Sequence, residues 1–294
     1  MAATMKKLLL QLDTDAHPST FDTIVAYDGG ADAVIRCGGA NLENVGGMVD
    51  GAIFTRGPKA KRNTAIFVGG SVMAEGEQLF NAVRDYFFAD FRVSVMLDSN
   101  GSNTTAAAAV IRMLESAPAK GKRAVVLAGT GPVGQRAAAM LAKEGAQVAL
   151  TSRHKEHAEQ TCQRISERFG VEVEPIVAPT SKDRMKAIAD AQLVLAAGAG
   201  GVELLEEEHW SKNSNIEVMA DANASPPLGI AGTQLRDQGE PRHGKMIWGS
   251  IGFGSLKLAL HRHCIGYLFH SNTEVFDAER IYTTGKELAA TKKI

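Results

Sequence analysis

The sequence predicts a two-domain α/β protein, an N-terminal α/β domain followed by a doubly wound second domain. Three observations predict it. Short apolar runs alternate with helical patterns along the chain, the signature of a mostly parallel sheet covered on both faces. The thirty glycines cluster directly after apolar runs, as expected where strands end in tight turns. The pattern breaks clearly at Pro118-Ala119-Lys120-Gly121-Lys122, and 294 residues suit two domains of about 100–200 residues each.

In the first half, Lys7–Leu12 reads as a buried strand. Its apolar run is interrupted by Gln11 and ended by Asp13, too short for the ~7–15 apolar residues of a secretory signal. Thr20–Asp28 is a helix with Phe21, Ile24 and Val25 on one face and Gly29-Gly30 as its stop. Strands follow at Ala33–Cys37, Thr64–Gly69 and Ser94–Asp98, with a helix at Met73–Phe88. Val49–Thr55 reads as a short passage from helix to strand. Asn103–Ala117 is a helix through an alanine run, and alanine packs closely without side-chain entropy loss, so this helix suits a tightly packed link between lobes.

Beyond the break the order is uninterrupted: strands at Arg123–Ala128, Gln147–Thr151, Glu172–Val177, Leu193–Ala197 and Ile216–Ala220, helices at Pro132–Glu144, Glu156–Phe169 and Lys182–Ala189. Helices at Ser255–Phe269 and Ala278–Ala290 close the chain. We expect a first domain over 1–105, with a C-terminal helix within 272–294 packed on it, and a second over 106–271.

Composition narrows the function. Hydrophobic residues make up 45% and charged residues 22%, which fits a globular protein and excludes disorder. The 32 basic and 33 acidic residues leave no basic balance for nucleic acid. No apolar run reaches the ~18 residues of a membrane span. Cys37, Cys162 and Cys264 lie far apart, which excludes a zinc ribbon or disulfide framework and suits a reducing cytoplasm.

The strongest motif is Gly129-Thr130-Gly131-Pro132-Val133-Gly134, a G-x-G-x-x-G between an apolar strand and a helix. In that context it is the phosphate loop of a Rossmann-type dinucleotide site. Gly129 permits the tight turn, Gly131 the approach of a diphosphate, and Gly134 close packing of helix on strand. The helix N-terminus then offers free N–H groups to the anion. An NAD site carries an acidic residue ~20 positions on. Here the second strand ends in Thr151-Ser152-Arg153-His154-Lys155, so a hydroxyl and two cations stand at the tip. Arginine and serine suit a ribose 2′-phosphate, so we expect NADP, held by Ser152 and Arg153 with Lys155 in support. NAD remains open as a second acceptor. Ala197 and Gly198, then Asp221 and Asn223, follow strand ends at the edge where open parallel sheets bind ligands.

The chain resembles the bacterial NAD(P)-dependent methylenetetrahydromethanopterin and methylenetetrahydrofolate dehydrogenases. The stretches that carry the resemblance are Leu12–Asp15, Tyr27–Asp32, Thr64–Gly70, Leu97–Ala108, Ala124–Gly134, Pro226–Ile230 and Gly254–Leu258. The resemblance runs over nearly the whole chain, and Asp98-Ser99-Asn100-Gly101-Ser102-Asn103-Thr104-Thr105 is far more specific than the glycine loop. It implies hydride transfer from methylene-tetrahydromethanopterin to NAD(P)+, an N-terminal α/β substrate domain and a Rossmann-type NAD(P)-binding domain with an intervening cleft, and a homo-oligomer, trimer or larger. Some members also accept methylene-tetrahydrofolate, and the residues do not choose between the carriers. The chemistry agrees: hydride loss from an N–CH2–N bridge moves no proton, so the site needs alignment of two rings rather than a base, nucleophile or metal.

The resemblance places Lys257 at the active site, positioning the carrier; the bare sequence instead favours a solvated helix lysine. Asp13 and Asp15 either bond the polar pterin edge or cap the following helix. Ser102, Asn103 and Thr104 either face the carrier or cap their own helix, and Asp98 is buried or ligand-facing. His261 and His263 beside Cys264 suggest a metal, but residues two apart on a helix diverge, so none is expected. Tyr27 lacks the Tyr-x-x-x-Lys lysine of the bifunctional folate dehydrogenase/cyclohydrolases, so no cyclohydrolase activity is expected. Two other readings stand beside this one: a shikimate- or glutamate-type dehydrogenase with proton-coupled hydride transfer, and a non-catalytic NADP-binding protein.

Overall fold

The computed structural model describes residues 5–291. The chain forms two compact units. One takes in the chain through Thr104 together with Leu258–Thr291; the other is Thr105–Lys257. The chain passes from the first to the second within one helix, α4 (Ser102–Ser116), and back within another, α8 (Ser250–Tyr267).

The first unit is built on a five-stranded sheet ordered β12-β4-β3-β1-β2, with every pairing parallel. Its strands are β1 (Leu8–Asp13), β2 (Ala33–Cys37), β3 (Thr64–Gly69), β4 (Ser94–Leu97) and β12 (Val275–Phe276). β3 and β4 are buried along their whole length, as apolar runs without alternation require in a sheet covered on both faces. Helices α1 (Thr20–Asp28), α2 (Val45–Phe54) and α3 (Met73–Asp85) accompany them. On α1 it is Val25 and Ala26 that are buried, whereas Phe21 and Ile24 lie exposed, so the expected apolar face of that helix is not its core face.

α2 corrects the expected passage from helix to strand. Gly46, Gly47 and Gly51 weaken its helix propensity, but Val45, Val49, Ala52 and Ile53 recur at helical spacing and all are buried, and packing overrides propensity. The return to the first unit at Leu258 comes earlier than the expected 271. The reason is burial along the second half of α8 and just beyond it: Leu260, His261, Cys264, Ile265 and Leu268 are sealed, and His261 stacks on Phe67 of β3 at 5.5 Å. The last helix, α9, covers Ala278–Thr291; residues 292–294 of the expected C-terminal helix lie outside the described residues.

The second unit has a seven-stranded sheet ordered β10-β11-β9-β8-β5-β6-β7, parallel except for β10 against β11. The strands are β5 (Arg123–Leu127), β6 (Gln147–Ser152), β7 (Val173–Val177), β8 (Leu193–Ala196), β9 (Val218–Asp221), β10 (Gln238–Arg242) and β11 (Lys245–Trp248), with helices α5 (Pro132–Lys143), α6 (Lys155–Phe169) and α7 (Ser181–Ala187) between them. Strand order reverses between β5 and β8. In open α/β sheets this switch point is where ligands bind, at the carboxyl ends of the strands. Val125, Leu127, Val194, Ala196 and Met219 fill the core below it. Among the described residues no helix is long and apolar enough to cross a membrane.

Candidate active site

The glycine loop lies at that switch point. β5 ends at Leu127, and Ala128 turns the chain with a left-handed φ of 50°. The tight turn is therefore made by Ala128 rather than by Gly129. Gly129 is required by packing: a Cβ there would stand 2.8 Å from the side chains of Leu150 and Val126. A Cβ on Gly134 would lie 2.5 Å from the Cα and carbonyl oxygen of Gly129, so the helix crosses the loop backbone at contact distance. Gly131 differs: nothing lies within 4 Å of its Cβ position except the Ala197 carbonyl oxygen, at 4.0 Å. α5 starts at Pro132 with Gly131 as its N-cap, and no side chain caps it. The first-turn N–H groups and the space over Gly131 together fit a diphosphate. Thr130 and Val133 are half-buried beside it, and Gln135 Nε2 holds the loop by donating to the Thr130 carbonyl at 2.7 Å.

Thr151, which the sequence reading passed over, fastens the loop to the second strand. Its Oγ1 accepts from the Ala128 N–H at 2.9 Å and its carbonyl from the Gly129 N–H at 3.1 Å. A hydroxyl at a strand tip was the available signal. Ser152 follows, buried, its Oγ accepting from the His154 N–H at 3.2 Å. Arg153 is exposed, and Lys155 pairs with Glu159 at 3.7 Å one turn along α6. Ala197 and Gly198 continue β8 at the same edge, Ala197 donating to the Leu127 carbonyl at 3.0 Å.

Asp221 and Asn223 also stand at this edge, but their side chains do not reach outward. The Asp221 carboxylate accepts from the Asn223 and Ile230 N–H groups, each at 2.9 Å. Asn223 bonds the Pro227 carbonyl and the Ser225 N–H. Both are buried and shape the loop through Pro226 and Pro227. Burial pushes the Asp221 carboxyl above its ordinary range, against the pull of backbone donors from Asn223, Ile230 and Gly229. An acid raised in the folded state binds its proton more readily there, so this group's contribution to stability is fully present below the unfolded value and is lost as pH rises through the raised one. Wild-type stability measured against Asp221→Asn should therefore increase on acidification from neutral pH toward the ordinary carboxylate range. A difference that is flat, or that falls with acid, contradicts this assignment.

A family model described as methylene-tetrahydromethanopterin dehydrogenase, N-terminal, matches residues 20–100. Over almost its full length the chain is similar to a Methylorubrum extorquens protein named bifunctional protein MdtA, 53% identical over 286 residues, covering 97% of this chain and 99% of the relative. It is also similar to a protein of the same organism named NAD(P)-dependent methylenetetrahydromethanopterin dehydrogenase, 32% identical and covering 86% of this chain and 88% of the relative. The chain belongs to the methylenetetrahydromethanopterin dehydrogenase family. In fold it is similar to shikimate 5-dehydrogenase from Listeria monocytogenes, with a TM-score of 0.53 at 15% identity over 97% of this chain and 96% of that one. Quinate dehydrogenase from Corynebacterium glutamicum gives a TM-score of 0.52 at 17% identity over 95% and 98% of the two chains.

In the first unit of this family member, the residues expected to meet a carrier are mostly engaged with their own backbone. Asp13 is buried at the end of β1, its carboxylate accepting from the Asp15 and Ser19 N–H groups, each at 3.0 Å. Asp15 is half-exposed and ties down Ser71 after β3, through N–H and Oγ at 3.0 and 2.8 Å. Asp98 is buried and caps α4: Oδ1 accepts from the Asn103 and Thr104 N–H groups, and Oδ2 from Thr104 Oγ1 at 2.6 Å. Asn103 Nδ2 donates to the Leu97 carbonyl and Ser102 Oγ to the Ser99 carbonyl. Ser102, Asn103 and Thr104 are all fully buried, and their bonds, like those of Asp13, hold backbone at the start of a helix. Lys257, the last residue of the second unit, is half-buried on α8. His261 is sealed and His263 exposed on that helix, so the two imidazoles diverge.

Proposed function

We propose that the protein transfers a hydride from methylene-tetrahydromethanopterin, and from methylene-tetrahydrofolate as a second carrier, to NADP+, giving the methenyl form. The observation that carries the reading is 53% identity over 97% of the chain to a relative named bifunctional, supported by a second named for this reaction. The second unit takes the dinucleotide. Lys257 positions the carrier. The protein works as a homo-oligomer in the cytoplasm.

The bound nicotinamide supplies the hydride acceptor. The chain's part is orientation. The N-terminus of α5 and the space over Gly131 seat the diphosphate, and Gly129 and Gly134 keep that seat narrow. Ser152 and Arg153 take the 2′-phosphate, the first from a buried position at the end of β6 and the second from an exposed one. The reaction leaves a cation shared by two nitrogens and releases no proton, so no side chain has to titrate during turnover. The rate should therefore stay flat between about pH 6 and 8, where a proton-coupled dehydrogenase gives a bell. A bell-shaped kcat would favour that other class.

The direct test is purified protein with NADP+ and methylene-tetrahydromethanopterin, following methenyl product and NADPH by absorbance, with methylene-tetrahydrofolate and NAD+ in parallel. No turnover on either carrier overturns the proposal. Arg153→Gln should raise KM for NADP+ by roughly ten- to a hundredfold, the worth of a charge-assisted bond to phosphate, and leave KM for NAD+ within about twofold. Equal losses with both cofactors would move the 2′-phosphate elsewhere.

A further inference from the structure

Arg184, on α7, stands at the same sheet edge as Ser152 and Arg153, and neither the glycine loop nor the family stretches pointed to it. The register pairs Ser152 with Val177, and the next residue, Ala178, donates its N–H to the Ser152 carbonyl at 2.8 Å. Arg184 closes on that junction. Its Nη1 donates to the Ala178 and Pro179 carbonyls, each at 3.2 Å, and its Nε to the Leu204 carbonyl at 2.6 Å. The side chain is buried, with 9% of the residue's surface exposed.

Its partners are unusual for a buried cation. All are neutral carbonyls, and among the described residues neither Arg184 nor Arg153 forms an ion pair. Asp183, its neighbour, is engaged in the capping box of α7 with Thr180 and with Lys186. The Nη2 of Arg184 makes no hydrogen bond among the described residues and is not sealed from solvent. Burial holds the guanidinium below its ordinary value; Asp183 opposes the shift, and the like charge of Arg153 adds to it more weakly. Asp183 acts on Arg184 electrostatically but forms no salt bridge with it, and a buried charge so incompletely paired is costly unless an anion arrives. Two like-charged guanidinium groups at the strand end that carries the buried Ser152 make a seat for a dianion.

We propose that Arg184 is the second cation of the 2′-phosphate seat, acting together with Arg153 and setting the preference for NADP+ over NAD+. This rests on the NADP+ reading above. Arg184 does not meet the reacting atoms; it is a specificity residue. Leu204 belongs to the segment that follows β8, and its own N–H bonds the Gly229 carbonyl at 2.8 Å, so a purely structural strut is the competing role.

Binding without turnover separates the two. Calorimetric titration with 2′,5′-ADP and with 5′-ADP reads the 2′-phosphate alone. Arg184→Met, which keeps the stem volume, should weaken 2′,5′-ADP by about tenfold and leave 5′-ADP within about twofold. Arg184→Lys, which keeps the charge, should retain most of the difference. Equal weakening of both ligands by Met, or a loss with Lys as large as with Met, makes Arg184 a strut and overturns the proposal, as does no change. If the Met variant does not fold, phosphorus NMR of 2′,5′-ADP bound to Arg153→Gln decides. With Arg184 still present, the bound 2′-phosphate should titrate below the free ligand; titration at the free value overturns the proposal. The NADP+ reading itself fails by a different result, wild-type protein that binds the two ligands equally.

Discussion

Replacing Asp98 by alanine should cost the fold about 3–5 kcal/mol, the largest loss of stability expected from any single polar substitution in the first unit. The carboxylate is fully buried and receives the Asn103 and Thr104 N–H groups at 2.8 and 3.1 Å and the Thr104 hydroxyl at 2.6 Å. Removal leaves the first turn of α4 without its cap, in a place water does not reach. A buried donor left unmade costs about 1–3 kcal/mol, and here there are two backbone donors and a hydroxyl. The cost also spreads, because His261 Nδ1 lies 3.9 Å from Oδ2 and its ring stacks on Phe67.

Asp98→Asn makes a sharper comparison. Both backbone donors converge on Oδ1, which an amide oxygen replaces, and the Thr104 hydroxyl can turn to accept from the new amide. The asparagine variant should therefore lose only about 1 kcal/mol. Urea midpoints of the three proteins measure the series. An alanine variant within about 1 kcal/mol of wild type would show that the cap does not hold α4.

How far these features were legible depends on whether the signal is local. Thr20–Asp28, Ala33–Cys37 and Thr64–Gly69 are elements whose limits follow from runs and stops in their own sequence, and the structure gives them the same bounds. The glycine loop is also local, a strand, a turn and a helix in one stretch. α2 was not legible, because three glycines oppose a helix that only tertiary packing stabilises. β10 was missed for a related reason: Gln238-Gly239-Glu240-Pro241-Arg242 has neither alternation nor apolar content, and its proline is tolerated because the strand lies at the sheet edge. His243 and Gly244, both at positive φ, mark the turn into β11, a hairpin signal present in the sequence and overlooked.

The site divides the same way. Residue types could indicate a carboxylate at a strand end, but not which way it faces. Asp13, Asp98 and Asp221 all bend back to cap their own loops, as Asp does well, whereas Asp15 reaches 56 residues along the chain to Ser71. Arg184 was invisible because its meaning lies in a pairing across strands, Ser152 with Val177, that no local pattern announces.

The glycine loop yields the second large effect, and its three glycines should fail differently. Gly134→Ala puts a methyl carbon 2.5 Å from the backbone of Gly129, and backbone cannot rotate away as a side chain can. The helix must lift, at about 1–3 kcal/mol of overpacking, and the shifted loop should bind NADP+ and NAD+ roughly a hundredfold more weakly. Gly131→Ala meets no atom closer than 4.0 Å, and its φ of −77° and ψ of 171° suit any residue. The entropy gained against the unfolded chain offsets the poorer cap, so its thermal midpoint should match wild type. Its methyl nonetheless fills the space that a diphosphate needs, and binding of both cofactors should fall with stability intact. Calorimetric titration beside thermal unfolding separates the cases: Gly134→Ala loses both quantities, Gly131→Ala loses binding alone, and Arg153→Gln loses only the NADP+ increment. Wild-type affinity in Gly131→Ala would mean that the diphosphate does not pass over this loop, and the cofactor site would have to be sought elsewhere on the sheet edge.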